Sequence, residues 1–345
     1  GGTSVTLSLF APKKEFVYVI GDFNNWELDT DFFMKREQAN ADSTWWWIEI
    51  DGLTPGNEYG FQYLVDGELR VTDPYAELIL DPNEDEFISE QTFPNLKPYP
   101  DGKTEKQVGV LQPGKEEFQF EVQNFEKPDP QELVIYELLV RDFTDNHDFK
   151  TLTDSLDYLA DLGVNAIELM PIMEFEGNTS WGYNPTFFFA VDKYYGRAED
   201  LKRFIDEAHK RGMAVILDMV HNHHFGRSSL VRLYSSGDFG PPTEENPWFN
   251  VEARHPFNVG FDMNHESAAT KHYIDRVNSY WLEEFNFDGF RFDLSKGFTQ
   301  NNTRGDVGAW SQFDQSRVDI LQRMADKIWE TDSDAYIILE HLGQE

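Results

Sequence analysis

The sequence predicts an α/β chain in two parts: an immunoglobulin-like antiparallel β-sandwich over residues 1–95, and a parallel sheet with outer helices over residues 131–345. Three observations predict it. Short aromatic and β-branched runs between Gly and Pro turns fill the first third. Apolar runs alternating with segments of helical periodicity fill the last two thirds. Between them Pro98, Pro100, Pro113, Pro128 and Pro130 punctuate a stretch, 96–130, that reads as a linker with one short strand at Phe118–Val122.

In the first part, Phe16 to Ile20 is a strand stopped by Gly21. Trp45 to Ile50 is a second, followed by the turn signals Asp51-Gly52 and Pro55-Gly56. Tyr59 to Val65 is a third, ending at the hairpin dipeptide Asp66-Gly67. In the second part, Leu133 to Leu139 is a buried strand. Leu152, Leu156, Leu159 and Leu162 recur at helical spacing, and Gly163 stops that helix. Strands follow at Val164–Leu169, Met213–Leu217, Phe287–Phe292 and Ala335–Leu339. Helices built on Leu201, Phe204, Ile205 and Ala208, on Tyr273, Ile274, Val277 and Trp281, and on Val318, Leu321, Met324 and Ile328 separate them. Two architectures fit this alternation, a (β/α)8 barrel and an open doubly wound sheet. No Gly-x-Gly-x-x-Gly follows a strand, which argues against the dinucleotide-binding form of the latter.

Composition narrows the function. With 29 Lys and Arg against 63 Asp and Glu, the net charge is −34, which excludes non-specific nucleic-acid binding and disfavours an anionic membrane surface. No Cys is present, so disulfides, thiolate metal sites and cysteine catalysis are excluded. No apolar run approaches the ~20 residues of a membrane span. The acidity suits either a salty habitat or export, and a secreted or periplasmic location is expected over a cytoplasmic one. Aromatics make up 15% of the chain. In so acidic a protein they suggest a neutral ligand with apolar faces, such as a sugar.

Three successive strands end in acids: Asp218, Asp293 and Glu340. In a barrel, chemistry sits at the C-terminal ends of strands. Asp293 and Glu340 would project from adjacent strands into one cavity, as nucleophile and acid/base of a retaining glycosidase. Arg291, two residues before Asp293, shares its face of the strand and is expected to keep Asp293 ionised. Glu340 must hold a proton. The polar cluster Asp218 to His224 offers hydrogen bonds to sugar hydroxyls. Its His221 and His223 also have the H-x-H spacing of a metal-dependent amidohydrolase, although no fitting ligand set follows on later strands.

At these residues the chain resembles the α-amylase family, family 13 of the glycoside hydrolases. The stretches DMVHNH (218–223), GFDMNH (260–265), GFRFDLSKGF (289–298) and ILEHLG (338–343) are similar to its conserved regions, and WGYNP (181–185) to the segment after its second strand, above all in branching and debranching members. The resemblance implies a TIM barrel of which the first five βα units are present, with the remainder of the barrel required, and we expect a piece of a longer enzyme. It implies a retaining hydrolase of α-1,4-linked glucans, with a branching or debranching enzyme, or a non-catalytic glucan-binding protein, as alternatives.

The resemblance also implies roles at matching positions. Asp293 is the nucleophile, Glu340 the acid/base and Arg291 the holder of Asp293. Tyr183 stacks on the cleaved sugar, His223 hydrogen-bonds it, Trp181 and Asp218 line its pocket, and Lys296 sits on the leaving-group side. Asn222 and Asp262 fall where calcium is often held. The family pattern continues with His after the Lys, where this chain has Gly297, which bears on the choice between hydrolysis and transfer. The first part resembles the glycogen-binding sandwich that precedes branching and debranching enzymes, through GDFNNW (21–26), LVDG (64–67) and DPYA (73–76). Gln62 and Leu69 stand where glycogen binders of that family carry Lys and Trp, so this domain is expected to be chiefly structural.

Overall fold

A computed structural model describes residues 2–40 and 42–342. Gly343, the last residue of the ILEHLG stretch, lies outside them. The chain divides into two compact units, 1–118 and 119–345.

The first unit is a two-sheet sandwich. Strands β1 (Ser4–Phe10), β3 (Lys35–Asn40) and β4 (Ser43–Asp51) form one sheet, in the order β1-β4-β3. Strands β2 (Val17–Gly21), β5 (Tyr59–Val65), β7 (Ile79–Leu80) and β8 (Val108–Leu111) form the other, in the order β2-β5-β8-β7, and β6 (Leu69–Val71) pairs with β5. All these pairings are antiparallel. Alternation sends Leu7, Leu9, Trp46, Ile48 and Ile50 from one sheet and Val17, Val19, Phe61, Tyr63 and Val65 from the other into the core.

A second apolar layer lies behind β5. Ile20, Trp26, Leu64, Leu80, Val108 and Val110 cluster there, with Leu78, Leu96 and Tyr99 packed on them. The expected linker is therefore corrected in part. Residues 96–111 cover this sheet and supply β8, because Ile20 of β2 and Leu64 of β5 face outward and need burial. Phe118–Val122 is irregular, not a strand; its backbone N–H groups at Glu121 and Val122 bind the Asp206 carboxylate.

The second unit is organised by five parallel strands: β9 (Ile135–Leu138), β10 (Ala166–Leu169), β13 (Ala214–Met219), β16 (Gly289–Phe292) and β17 (Tyr336–Leu339), with sheet order β17-β16-β13-β10-β9. The order follows the chain without reversal. A doubly wound sheet reverses order at a switch point, so the barrel-type winding is the one present. Two antiparallel strand pairs lie outside this sheet, β11 (Met173–Phe175) with β12 (Pro185–Val191), and β14 (His223–His224) with β15 (Phe261–Asp262).

Helix α4 (Ala198–Lys210) buries Leu201, Phe204, Ile205 and Ala208, as the periodicity predicts. Helix α6 (Ala268–Phe285) starts at a Ser267 cap and ends at Asn286 in the left-handed region. Helix α8 (Gln315–Thr331) starts at Asp314.

Two local expectations are corrected. The single helix over 152–162 is two short ones, α2 (Phe149–Asp154) and α3 (Leu156–Asp161); the Ser155 hydroxyl at the break bonds back to the Thr151 carbonyl. The first parallel strand is shorter than expected and buried only at its end, at Leu138: Val134 and Ile135 are exposed because β9 is an edge of the sheet.

Candidate active site

The site grows from register. Arg291 pairs with Asp218 across β16 and β13, and with Ile338 across β17. Side chains two residues apart on a strand share a face. One face thus gathers Asp218, Arg291, Asp293 just past β16, and Glu340 just past β17. Glu168 on β10, paired with Glu137 on β9, extends the row.

Arg291 is its hub. Its Nη1 lies 3.0 Å from Asp218 Oδ1 and 3.3 Å from Asp293 Oδ1, its Nη2 2.9 Å from Glu340 Oε1, and its Nε 3.8 Å from Glu168 Oε1. The Leu294 N–H donates to Glu340 Oε2 at 3.0 Å, and the Tyr183 hydroxyl donates to Asp218 Oδ2 at 2.7 Å.

Four carboxylates share one guanidinium, and the electrostatics follow. Burial pushes Asp218 up to about 8, against the pull of Arg291 and the Tyr183 hydroxyl. Burial and the neighbouring Glu340, close enough to hydrogen-bond, push Asp293 up to about 6, and Arg291 only partly offsets them. Glu168 is raised by burial and by the charges of Glu137 and Glu340. Arg291 favours the ionised form of Asp293 but does not outweigh burial and Glu340. Asp293 takes up a proton as the pH falls toward 6.

The structure brings Asp293, Glu340, Arg291, Asp218 and Tyr183 together. Trp181 stands on the same loop as Tyr183 and is 59% exposed, and the Arg141 guanidinium steadies that loop through the Ser180 carbonyl. Two residues are placed differently from expectation. His223 is 1% exposed; its Nε2 meets the Tyr183 carbonyl at 2.8 Å and its Nδ1 faces the Asn222 amide, so it positions Tyr183 and has no nitrogen left for a sugar hydroxyl. Lys296 is fully buried, with its ammonium 5.3 Å from the centre of the Trp310 ring, where the expectation had it facing the substrate.

The H-x-H pair is not a metal site. His221 Nε2 bonds Asn278 Oδ1 at 2.8 Å, and its ring lies between Phe188 and Phe292. Burial lowers His221 and His223 to about 4, so both are neutral. Sequence reasoning missed Glu137 and Glu168, whose oxygens lie with one of Asp218 within 4.8 Å of one another. An acid at one register position of two adjacent strands was the available signal.

The sequentially wound parallel sheet has the winding of a barrel, and its carboxylate cluster stands at the strand ends where a barrel carries chemistry. Residues 123–258 match the family model for the α-amylase catalytic domain, and residues 1–76 match carbohydrate-binding module 48, the isoamylase N-terminal domain. Over residues 123–258 the chain carries the α-amylase catalytic-domain pattern. It is 32% identical over 303 residues to the malto-oligosyltrehalose trehalohydrolase of Saccharolobus solfataricus, covering 87% of this chain and 46% of that protein. To the 1,4-alpha-glucan branching enzyme GlgB of Halothermothrix orenii it is 28% identical, covering 90% and 46%. The fold is similar to a putative alpha amylase from Salmonella typhimurium (TM-score 0.70, 25% identity, 98% of this chain and 48% of that one) and to type I pullulanase from Bacillus subtilis in complex with maltose (TM-score 0.72, 24% identity, 99% and 46%). The chain spans about half the length of the curated relatives that it matches over most of its own length.

Proposed function

We propose that this chain carries the catalytic carboxylates of a retaining glycoside hydrolase acting on α-1,4-linked glucans. The observation that carries the reading is the contact of Asp293 and Glu340 at the ends of neighbouring strands, both beside Arg291. In the reaction, Asp293 attacks the anomeric carbon as Glu340 gives its proton to the departing oxygen. Glu340 then takes a proton from the water that releases the sugar. A retaining pair works ~5–5.5 Å apart, so sugar entry has to part the two carboxyls. Tyr183, tied to Asp218 and supported by His223, offers a ring beside the pair.

The reading includes the rest of the barrel. The edges at β9 and β17 present Ile135 and Leu339 outward, and we propose that further strands of the intact enzyme pair with them. A mass of the intact protein near 40.1 kDa together with glucan turnover would refute this part.

A slow-turnover glucosyl fluoride should leave one glycosyl group on the Asp293 peptide of the intact enzyme, with products of retained α-configuration. Turnover with inverted products, or an adduct at another acid, would overturn the reading. A second reading is favoured by WGYNP and the module at 1–76: a branching or debranching enzyme. Product analysis on linear and branched glucans separates the two.

A further inference from the structure

The resemblance implies calcium at Asn222 and Asp262, an ion that takes six to eight oxygen ligands. The surroundings do not supply them. Asp262 Oδ2 is committed to the Asn250 amide at 2.8 Å and the Arg254 N–H at 3.0 Å. The Gly297 carbonyl accepts from the Thr299 N–H at 2.8 Å. The His255 imidazole occupies the neighbouring space, with Nε2 3.5 Å from Asp262 Oδ1. Asn222 Oδ1, Asp262 Oδ1 and both ring nitrogens are buried without hydrogen-bond partners. An imidazole nitrogen facing two lone oxygens is a poor calcium shell and a ready donor to both.

Gly297 explains why this arrangement is possible. A Cβ there would lie 2.0 Å from Asn222 Oδ1 and 2.8 Å from His255 Nε2. Any side chain at 297, including the His of the family pattern, would drive these groups apart.

We propose that His255 replaces the family's calcium: its Nε2–H joins Asn222 and Asp262, Gly297 makes the room, and the segment between β14 and β15 is locked to the end of β13 without metal. Arg254, next to His255, ties the same segment onward, because its carbonyl accepts from the Thr303 N–H at 2.8 Å. His255 is a positioning residue, remote from the Asp293–Glu340 pair in role, and the inference stands whether the enzyme cleaves or transfers glucan.

The test uses the intact protein. After dialysis against EGTA and then against EDTA, elemental analysis should find less than about 0.1 calcium or zinc per chain, and 1 mM calcium should leave Tm unmoved within about 1 °C. His255→Leu should lower Tm by about 3 °C or more, with no recovery on adding calcium. His255→Gln, which keeps an amide donor, should recover at least half of that loss. Stoichiometric metal, a Tm raised by calcium, or equal losses in the Leu and Gln variants would each overturn the proposal.

Discussion

Gln62 and Arg291 are both polar groups set among β-strands, and they meet opposite fates. Gln62, on the outer face of β5, is fully buried and matched. Its amide donates to the carbonyls of Glu105 and Gln107 at 2.8 and 2.7 Å, and its oxygen accepts from the Thr104 hydroxyl at 2.5 Å. Arg291 faces more charge than it can neutralise, and the surplus appears as raised carboxyls on Asp218, Asp293 and Glu168. Matched polar burial holds a fold together, whereas unmatched charge stores protons for chemistry. A raised acid alone is not the sign. Asp73 in the sandwich is pushed up to about 6 by burial, yet Tyr63 and Tyr75 satisfy its two oxygens one to one.

The contrast is broken most severely at the carboxyl pair. In the intact enzyme, Asp293→Asn or Glu340→Gln should lower kcat by about a thousandfold or more, since the covalent and proton-transfer contributions are lost. Thermal unfolding should change little, because each variant removes a charge from an over-acidic cluster. Near-normal steady-state rates in either variant would sink the assignment. Next in size is Tyr183→Phe, which frees Asp218 Oδ2 of its hydroxyl partner and should lower kcat/KM by about tenfold.

Stability against pH sharpens the comparison. Asp218 keeps its proton up to about 8 in the folded chain, whereas an unfolded aspartate releases it near 4. The folded state therefore binds more protons between these values, and stability falls as pH rises through that window, by at most ~1.4 kcal/mol per pH unit for one group. Asp218→Asn should match the parent at pH 4 and become progressively more stable than it toward pH 8. Urea unfolding at several pH values measures this, and parallel curves would show that Asp218 does not hold the proton.

Local pattern made much of this legible. The acids at the ends of β13, β16 and β17 stand where apolar runs stop, and Arg291 is placed on Asp293's side by alternation alone. What stayed hidden depends on distant partners. The sharing of Arg291 among four carboxylates requires β10 to lie beside β13, which no local spacing encodes. The outward orientation of Ile135 follows from its edge position, not from its own run. His223 was read as facing a sugar because its motif says so; only the fold shows both nitrogens spent on Tyr183 and Asn222. The role of Gln62 was half legible: its identity argued against sugar contact, but the strap that covers it comes from residues 104–107, more than 40 positions later in the chain.

That strap gives the smallest expected effect on activity. Gln62→Leu leaves the Glu105 and Gln107 carbonyls and the Thr104 hydroxyl without their partner, at a cost of about 1–3 kcal/mol to the sandwich. Because Gln62 is sealed beneath residues 104–107, kcat on a soluble maltodextrin should be unchanged. Gln62→Lys, the residue expected in glycogen-binding sandwiches, should be worse than Leu, since it buries a charge among carbonyls that can only partly solvate it. If the Lys variant instead matches the parent in stability and gains affinity for glycogen, the strap opens in solution. The sandwich face would then belong with the strand ends, as a surface kept for ligand.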